Sequence, residues 1–219
     1  IVFNSPHNPT GTILDENDIL QLVEIVKDTN IILISDEVYE HIIFDNKTHL
    51  SFSKYEELAK RSFIISSFGK TFHTTGWKIG YCCAPEHLTK EFRKFHQFIV
   101  FAVNTPIQLA IAEFLKDEKN IYSLPDFYQS KRDFFTSMIK DSRFIIRNCF
   151  GTYFQLLDYS NISNKNDLEF VEYLTKEIGV AVIPLSPFYK NDITEKLIRV
   201  CFAKNDDVLK IAAKKLSEV

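Results

Sequence analysis

The sequence has little of what marks several protein classes. Its 219 residues include four cysteines, six glycines, one methionine and one tryptophan. Cys82 and Cys83 are adjacent, and Cys149 and Cys201 lie far away. That spacing suits neither a disulfide framework nor a metal site, so we expect small buried thiols in a reducing compartment and no metal. No apolar run approaches the length of a membrane span. The formal net charge of -3 argues against a nucleic-acid partner. With no recognisable secretory signal, Asn46-Lys47-Thr48 and Asn161-Ile162-Ser163 carry little weight as glycosylation sites, and we expect a cytoplasmic protein. There is no internal repeat and no low-complexity stretch.

The chain is 45% hydrophobic and 25% charged, with twenty phenylalanines, which is core enough for one or two domains. It opens on Ile1, inside a strand-like run, and from this we expect the C-terminal part of a longer protein. Three apolar runs each end in a polar cluster. Ile1-Val2-Phe3 leads to Asn4-Ser5-Pro6-His7-Asn8-Pro9-Thr10-Gly11. Ile31 to Ser35 leads to Asp36-Glu37-Val38-Tyr39, and Phe63-Ile64-Ile65 leads to Ser66-Ser67-Phe68-Gly69-Lys70. Unbroken apolar runs suit strands buried on both faces of a parallel sheet. An amphipathic helix capped by Asp15 separates the first two, giving the crossover unit of an α/β domain. Ligands of such sheets bind at the carboxyl ends of the strands, where all three clusters fall.

Further on, the pattern predicts a strand at Tyr81 to Ala84 and helices over about 86–103, from Thr105 and over about 125–139. Leu88, Phe92, Phe95 and Ile99 share one side of the first of these helices. Thr105 reads as the cap of the second, with Pro106 in its first position and Gln108 completing a capping box. Strand-like segments at 151–157, 180–185 and 197–202 alternate with helices, one capped by Asn166 and ended by Gly179, the last capped by Asn205 or Asp206. The rhythm changes near Asp117 to Pro125. We therefore divide the chain into 1–118, part of a large α/β domain with a mostly parallel sheet, and 119–219, a smaller α+β domain.

Lys70 carries the candidate chemistry. Alone it reads as a surface lysine. Gly69-Lys70-Thr71 also reads as the end of a phosphate loop, but that loop needs glycine at position 64, which is isoleucine. A lysine at the end of a buried run can instead be an amine nucleophile. Asp36 is either a cap or a carboxylate that keeps a pyridine nitrogen protonated. Tyr39 is a packed tyrosine or a phenol reaching a ring oxygen. Asn8, between two prolines, is a turn residue or an amide held over a crevice. Ser67 and Lys78 suit a phosphate. Arg199, inside the apolar run Leu197 to Phe202, takes a structural salt bridge or a substrate carboxylate.

Together, Asn8-Pro9-Thr10-Gly11, Asp36-Glu37-Val38-Tyr39, Ser67-Phe68-Gly69-Lys70, Gly76-Trp77-Lys78 and Arg199-Val200-Cys201-Phe202 resemble class I/II aminotransferases of pyridoxal-phosphate (PLP) fold type I. Lys70-Thr71-Phe72 through Gly76-Trp77-Lys78, Val103-Asn104-Thr105-Pro106, Gly151-Thr152-Tyr153-Phe154 and Ile183-Pro184-Leu185-Ser186 resemble the branch of methionine aminotransferases and kynurenine aminotransferase/glutamine transaminase K. The resemblance implies pyridoxal 5'-phosphate as cofactor, with Lys70 as the catalytic lysine of the internal aldimine. It implies that Asp36 pairs with the ring nitrogen, that Asn8 and Tyr39 reach the ring oxygen, and that Ser67 and Lys78 bind the phosphate. Arg199, with Asn8, takes the substrate carboxylate. Amino acid and 2-oxo acid are the implied substrates, and the full-length protein is implied to be a homodimer. A cysteine-S-conjugate β-lyase on the same scaffold and a PLP-binding sensor domain of a transcription regulator are the alternatives. Relatives carry a long segment before the position of Asn8 that completes the site. We therefore expect the 219-residue chain alone to be inactive and to expose a sheet edge and apolar surface.

Overall fold

A computed structural model describes residues 1–191 and 195–219. The chain forms two compact units: Ile1–Pro6 with Ile13–Pro125, and His7–Thr12 with Asp126–Val219.

The first unit is built on a four-stranded sheet. Strand β1 (Val2–Asn4) is followed by helix α1 (Glu16–Val26), then β2 (Leu33–Asp36), the short α2 (Glu56–Ala59) and β3 (Ser62–Ser67). The strands β1, β2 and β3 are parallel, with Asn4 level with Asp36 and Asp36 level with Ile65. The polar clusters after β2 and β3 therefore sit at one end of the sheet. Asp15 caps α1 in a reciprocal capping box with Asp18, as its sequence predicts. Its inner face, Ile19, Leu22 and Val26, packs with Leu33, Phe52, Leu58 and Ile64 into the core. Burying each such side chain contributes about 1.5–3 kcal/mol.

Beyond β3 come the single turn α3 (Phe68–Thr71) and β4 (Gly80–Cys83), which pairs antiparallel with β3. The helices α4 (Glu86–Ile99), α5 (Thr105–Phe114) and α6 (Lys119–Tyr122) follow. The cap of α5 differs from the sequence expectation. Asn104 rather than Thr105 is the cap, its side-chain carbonyl accepting from the N–H of Ile107, while the Gln108 amide turns back to the Val103 carbonyl. Thr105 is already helical, so its hydroxyl comes one residue too late for that reach. On α4, Leu88 is buried, but Phe95, Phe98 and Ile99 are 67%, 85% and 78% exposed. Val2, on the sheet-edge strand β1, is exposed as well. The expected apolar surface and open sheet edge are thus present.

The second unit opens with α7 (Leu124–Ile139). Its sheet consists of β5 (Ile145–Ile146), β6 (Phe154–Asp158), β7 (Ile183–Pro184) and β8 (Leu197–Cys201), in the order β5-β6-β8-β7, all antiparallel. Helix α8 (Asp167–Tyr173) lies between β6 and β7, and α9 (Asp206–Ser217) closes the chain. Asn166 caps α8 in a capping box with Glu169. The wide turn after α8 ends at Gly179, whose φ of +74° is readily adopted only by glycine. Segment 7–12 joins this unit through Gly11, whose carbonyl accepts from the N–H groups of Phe150 and Gly151 at 2.8 and 3.2 Å. A Cβ on Gly11, at φ +71°, would stand 2.9 Å from the Cys149 sulfur. No helix among the described residues is long and apolar enough to cross a membrane.

Candidate active site

In the first unit, β3 runs directly into α3. Ser67 ends the strand and caps the turn, its Oγ accepting from the Gly69 N–H at 3.2 Å and so leaving its own proton to donate. Lys70 falls inside that turn. A Cβ on Gly69 would lie 3.1 Å from the Thr75 Cα, so glycine here lets the Thr74–Thr75 turn fold closely back. Gly80, level with Ser67 across the β3–β4 ladder, is tighter still: a Cβ would meet the Ser66 carbonyl at 2.4 Å. Lys78 just before it adopts the left-handed region at φ +54°.

These constraints bring Ser67, Lys70 and Lys78 to one cleft of about 300 Å³, completed by Gly69, Thr75, Ile79 and Gly80. No acid lines it. Among the described residues neither lysine has a hydrogen-bond or ion-pair partner. A cleft that offers cations and hydroxyl donors, and no anion of its own, suits an anionic ligand.

Asp36 stands at the end of β2. Burial pushes its carboxyl above the usual range, against the Val38 N–H that it accepts at 3.2 Å; the charge of Glu37 adds to the rise and that of Lys70 opposes it. A half-buried carboxylate held this way gains from a cationic partner. The backbone around it is fixed, since the Asp36 carbonyl accepts from the Asn4 side chain at 2.9 Å and from the Ser5 N–H at 3.1 Å. Tyr39 is buried in the turn that follows. Beside them Glu37, 2% exposed, accepts from the Ser35 hydroxyl at 2.8 Å and the Phe52 N–H at 3.1 Å, and lies 2.7 Å from His49 Nε2. Burial would raise this carboxyl, but its partners, His49 foremost, hold it below the usual value. Glu40 adds a third potential metal ligand within 4.8 Å. Its carboxylate already accepts from the Tyr81 hydroxyl, and that of Glu37 is equally engaged, so the group is a hydrogen-bond lock on the end of β2.

In the second unit Arg199 lies mid-strand in β8 and is 8% exposed. Its Nη1 donates to the Asn8 side-chain carbonyl. Its guanidinium carbon sits 4.0 Å from the ring centre of Phe154 and 5.4 Å from that of Phe188. The sequence-selected residues thus form two sets. Asp36, Tyr39, Ser67, Lys70 and Lys78 belong to the first unit, and Asn8 and Arg199 pair in the second. The sequence reading placed Phe154 and Thr75 only inside motifs, gave neither a role of its own, and did not single out Phe188 or the Glu37–His49 lock. Phe154 needed the strand register, and Phe188 and Thr75 needed the fold of their turns. Glu37 carried one overlooked signal, an acid beside Asp36 in an apolar context.

The profile of the family "Aminotransferase class I and II" matches residues 1–216, and the chain belongs to that family. It is 47% identical over 220 residues to methionine aminotransferase of Escherichia coli (strain K12), covering 100% of this chain and 57% of that protein. It is 34% identical to kynurenine–oxoglutarate transaminase of Dictyostelium discoideum, over 97% of this chain and 54% of that protein. Among solved structures, a methionine aminotransferase of E. coli superposes with a TM-score of 0.97 at 46% identity, over 100% of this chain and 58% of that one. N-succinyldiaminopimelate aminotransferase of Mycobacterium tuberculosis superposes at 0.93 and 35% identity, over 99% and 57%. These neighbours share fold type I, as the motifs imply. The chain spans little more than half the length of the relatives it matches.

Proposed function

We propose that the full-length protein is a cytoplasmic, homodimeric, pyridoxal-5'-phosphate-dependent aminotransferase. It moves an amino group from a methionine-like, aromatic or glutamine-like amino acid to a 2-oxo acid. The observation that carries this reading is Lys70, an unpaired amine in an acid-free cleft with Ser67 and Lys78, whose charge is felt by the half-buried Asp36. The donor set fits a phosphate, and Asp36 fits a protonated ring nitrogen. The names of the similar proteins support the donor class. The exposed aromatic face of α4 supports a partner subunit.

In this reading Ser67 donates its hydroxyl proton to the phosphate and Lys78 supplies charge. Asp36 stays ionised to hold a proton at the ring nitrogen, and Asn8 and Tyr39 orient the ring oxygen. When bound, the cofactor supplies an electron sink for a carbanion at the substrate Cα. Lys70 would be the base that moves the proton at Cα, and its amine would hold the bound cofactor. Arg199 grips the α-carboxylate with its planar fork, and Asn8 shares that task. The relatives quoted above are transaminases, which favours transfer over β-elimination or a sensor role.

The test is Lys70→Ala in the full-length protein loaded with pyridoxal 5'-phosphate. Turnover of amino acid with 2-oxo acid is expected to vanish and the absorbance band of the bound cofactor to shift. Retention of both the wild-type band and turnover would show the reading to be wrong.

A further inference from the structure

Glu37 is a buried acid one residue from Asp36. A carboxylate taken out of water persists only where other groups replace its lost hydration. Three donors do so here. The Ser35 hydroxyl and the Phe52 N–H meet one oxygen, and His49 Nε2 meets the other. An ionised carboxylate only accepts, so Nε2 carries the proton in that contact. The donors are themselves held. Ser35 belongs to β2, the ring of Phe52 lies in the core of the first unit, and the His49 side chain is only 12% exposed. An apolar residue at 37 could fill this space without the cost of burying a charge. What the ion pair adds is a fixed direction.

Successive side chains of an extended segment point to opposite faces. Leu33, Ser35 and Glu37 are buried, while Ile34 is exposed and Asp36 half-buried. The bond from Ser35 to Glu37 confirms that these two share a face, so Asp36 between them points to the other. The Glu37 N–H donates to the Ile65 carbonyl at 2.8 Å, which carries the β2–β3 ladder one residue past Asp36. Asp36 has little hold of its own. One oxygen accepts from the Val38 N–H at 3.2 Å, and among the described residues no other protein group bonds to the carboxylate. A side chain held by one local bond takes its aim from the backbone beneath it, and Glu37 pins that backbone from the opposite face.

We propose that Glu37 and His49 are positioning residues for the cofactor. Clamped between Ser35, Phe52 and His49, the Glu37 carboxylate fixes the backbone under Asp36, so that Asp36 meets the ring nitrogen in one orientation. The proposal rests on the reading that Asp36 pairs with that nitrogen.

The experiment uses the full-length protein, first stripped of cofactor. It measures the dissociation constants of pyridoxal 5'-phosphate and of its analogue with a C–H group in place of the ring nitrogen. It then measures kcat and KM for the amino donor after reloading with pyridoxal 5'-phosphate. Only the first ligand offers a nitrogen to Asp36, so the ratio of the two constants reads the aim of that carboxylate. His49→Leu removes one donor of the lock. It is expected to cut the preference for the nitrogen-bearing ligand about tenfold and kcat by a similar factor, with KM within about twofold of wild type. His49→Gln, which keeps an N–H donor, should restore both. Ser35→Ala removes another donor at nearly constant volume and should cut the preference about threefold. It decides the matter where His49→Leu does not fold. A lower Tm with an unchanged ratio and kcat overturns the positioning role, and so does an equal loss of affinity for both ligands. An Asp36→Asn protein that keeps the wild-type preference overturns the assignment of Asp36 itself, and this inference with it.

Discussion

The side-chain carbonyl of Asn8 accepts a hydrogen bond from Nη1 of Arg199, 191 positions further along the chain. The contact places the first sequence motif and the last in one structural unit. It also leaves the arginine held by a neutral group, so that its positive charge is not spent on a carboxylate of the protein at this contact. Asn8→Ala is therefore expected to weaken binding of an unreactive carboxylate to the full-length protein about tenfold, the scale of one hydrogen bond to a charged group. Asn8→Asp should weaken it further, because the new carboxylate competes for the same fork. Titration calorimetry would check the ranking, and tighter binding by Asn8→Asp would contradict it.

Ser67 and Lys78 are assigned to the cofactor phosphate. Ser67→Ala and Lys78→Ala should each raise the dissociation constant of pyridoxal 5'-phosphate by about tenfold or more. Neither should change that of pyridoxal, which lacks the phosphate. Equal effects on the two ligands would remove both residues from the phosphate site.

The neighbouring acids Asp36 and Glu37, at the end of β2 and just beyond it, should respond to pH in opposite ways. Glu37 is held below its ordinary value of 4.5, so the folded state binds its proton more weakly than the unfolded state. Its contribution to stability is complete above pH 4.5 and is lost as pH falls below that. Glu37→Gln should flatten the acid side of the stability profile and lower Tm at neutral pH. Asp36 is raised above 3.8, so its ionised form costs stability as pH climbs past that value. In cofactor-free protein Asp36→Asn is expected to raise Tm at pH 7 by about a degree or two. Thermal melts between pH 3 and 7 decide both, and a lower Tm for Asp36→Asn would refute the second.

Gly11 meets two demands at once, a left-handed φ and closeness to Cys149. Gly11→Ala should destabilise the protein by about 1–3 kcal/mol. Adding Cys149→Ala removes the clash with the sulfur but leaves the backbone cost, so part of the loss is expected to return. Denaturant unfolding of the two single variants and the double variant measures that coupling, and strict additivity would show that the sulfur contact plays no part.

The sequence made the parallel strands legible because Ile1 to Phe3, Ile31 to Ile34 and Phe63 to Ile65 are unbroken apolar runs, each ending in groups with evident chemistry. Lys70, Asp36 and Arg199 stood out because a charge next to such a run needs a reason. Phe154 belonged to a branch motif but drew no role from it, since its place beside Arg199 depends on the strand register. The cap of α5 was misplaced by one residue because Asn104 and Thr105 are both good caps, and backbone geometry decides between them. Glu37 drew no reading of its own, and its lock to His49 and Phe52 depends on a loop whose path the sequence does not reveal.

The chain enters the second unit at His7, leaves it after Thr12 and returns for good at Asp126. No single cut can therefore separate the two units intact. A polypeptide starting at residue 126 would have the arginine and its aromatic seat but not the amide that completes them. A polypeptide ending at 125 would carry that amide with nothing to receive it. The second unit therefore cannot be moved as a module unless the short Asn8 segment travels with it.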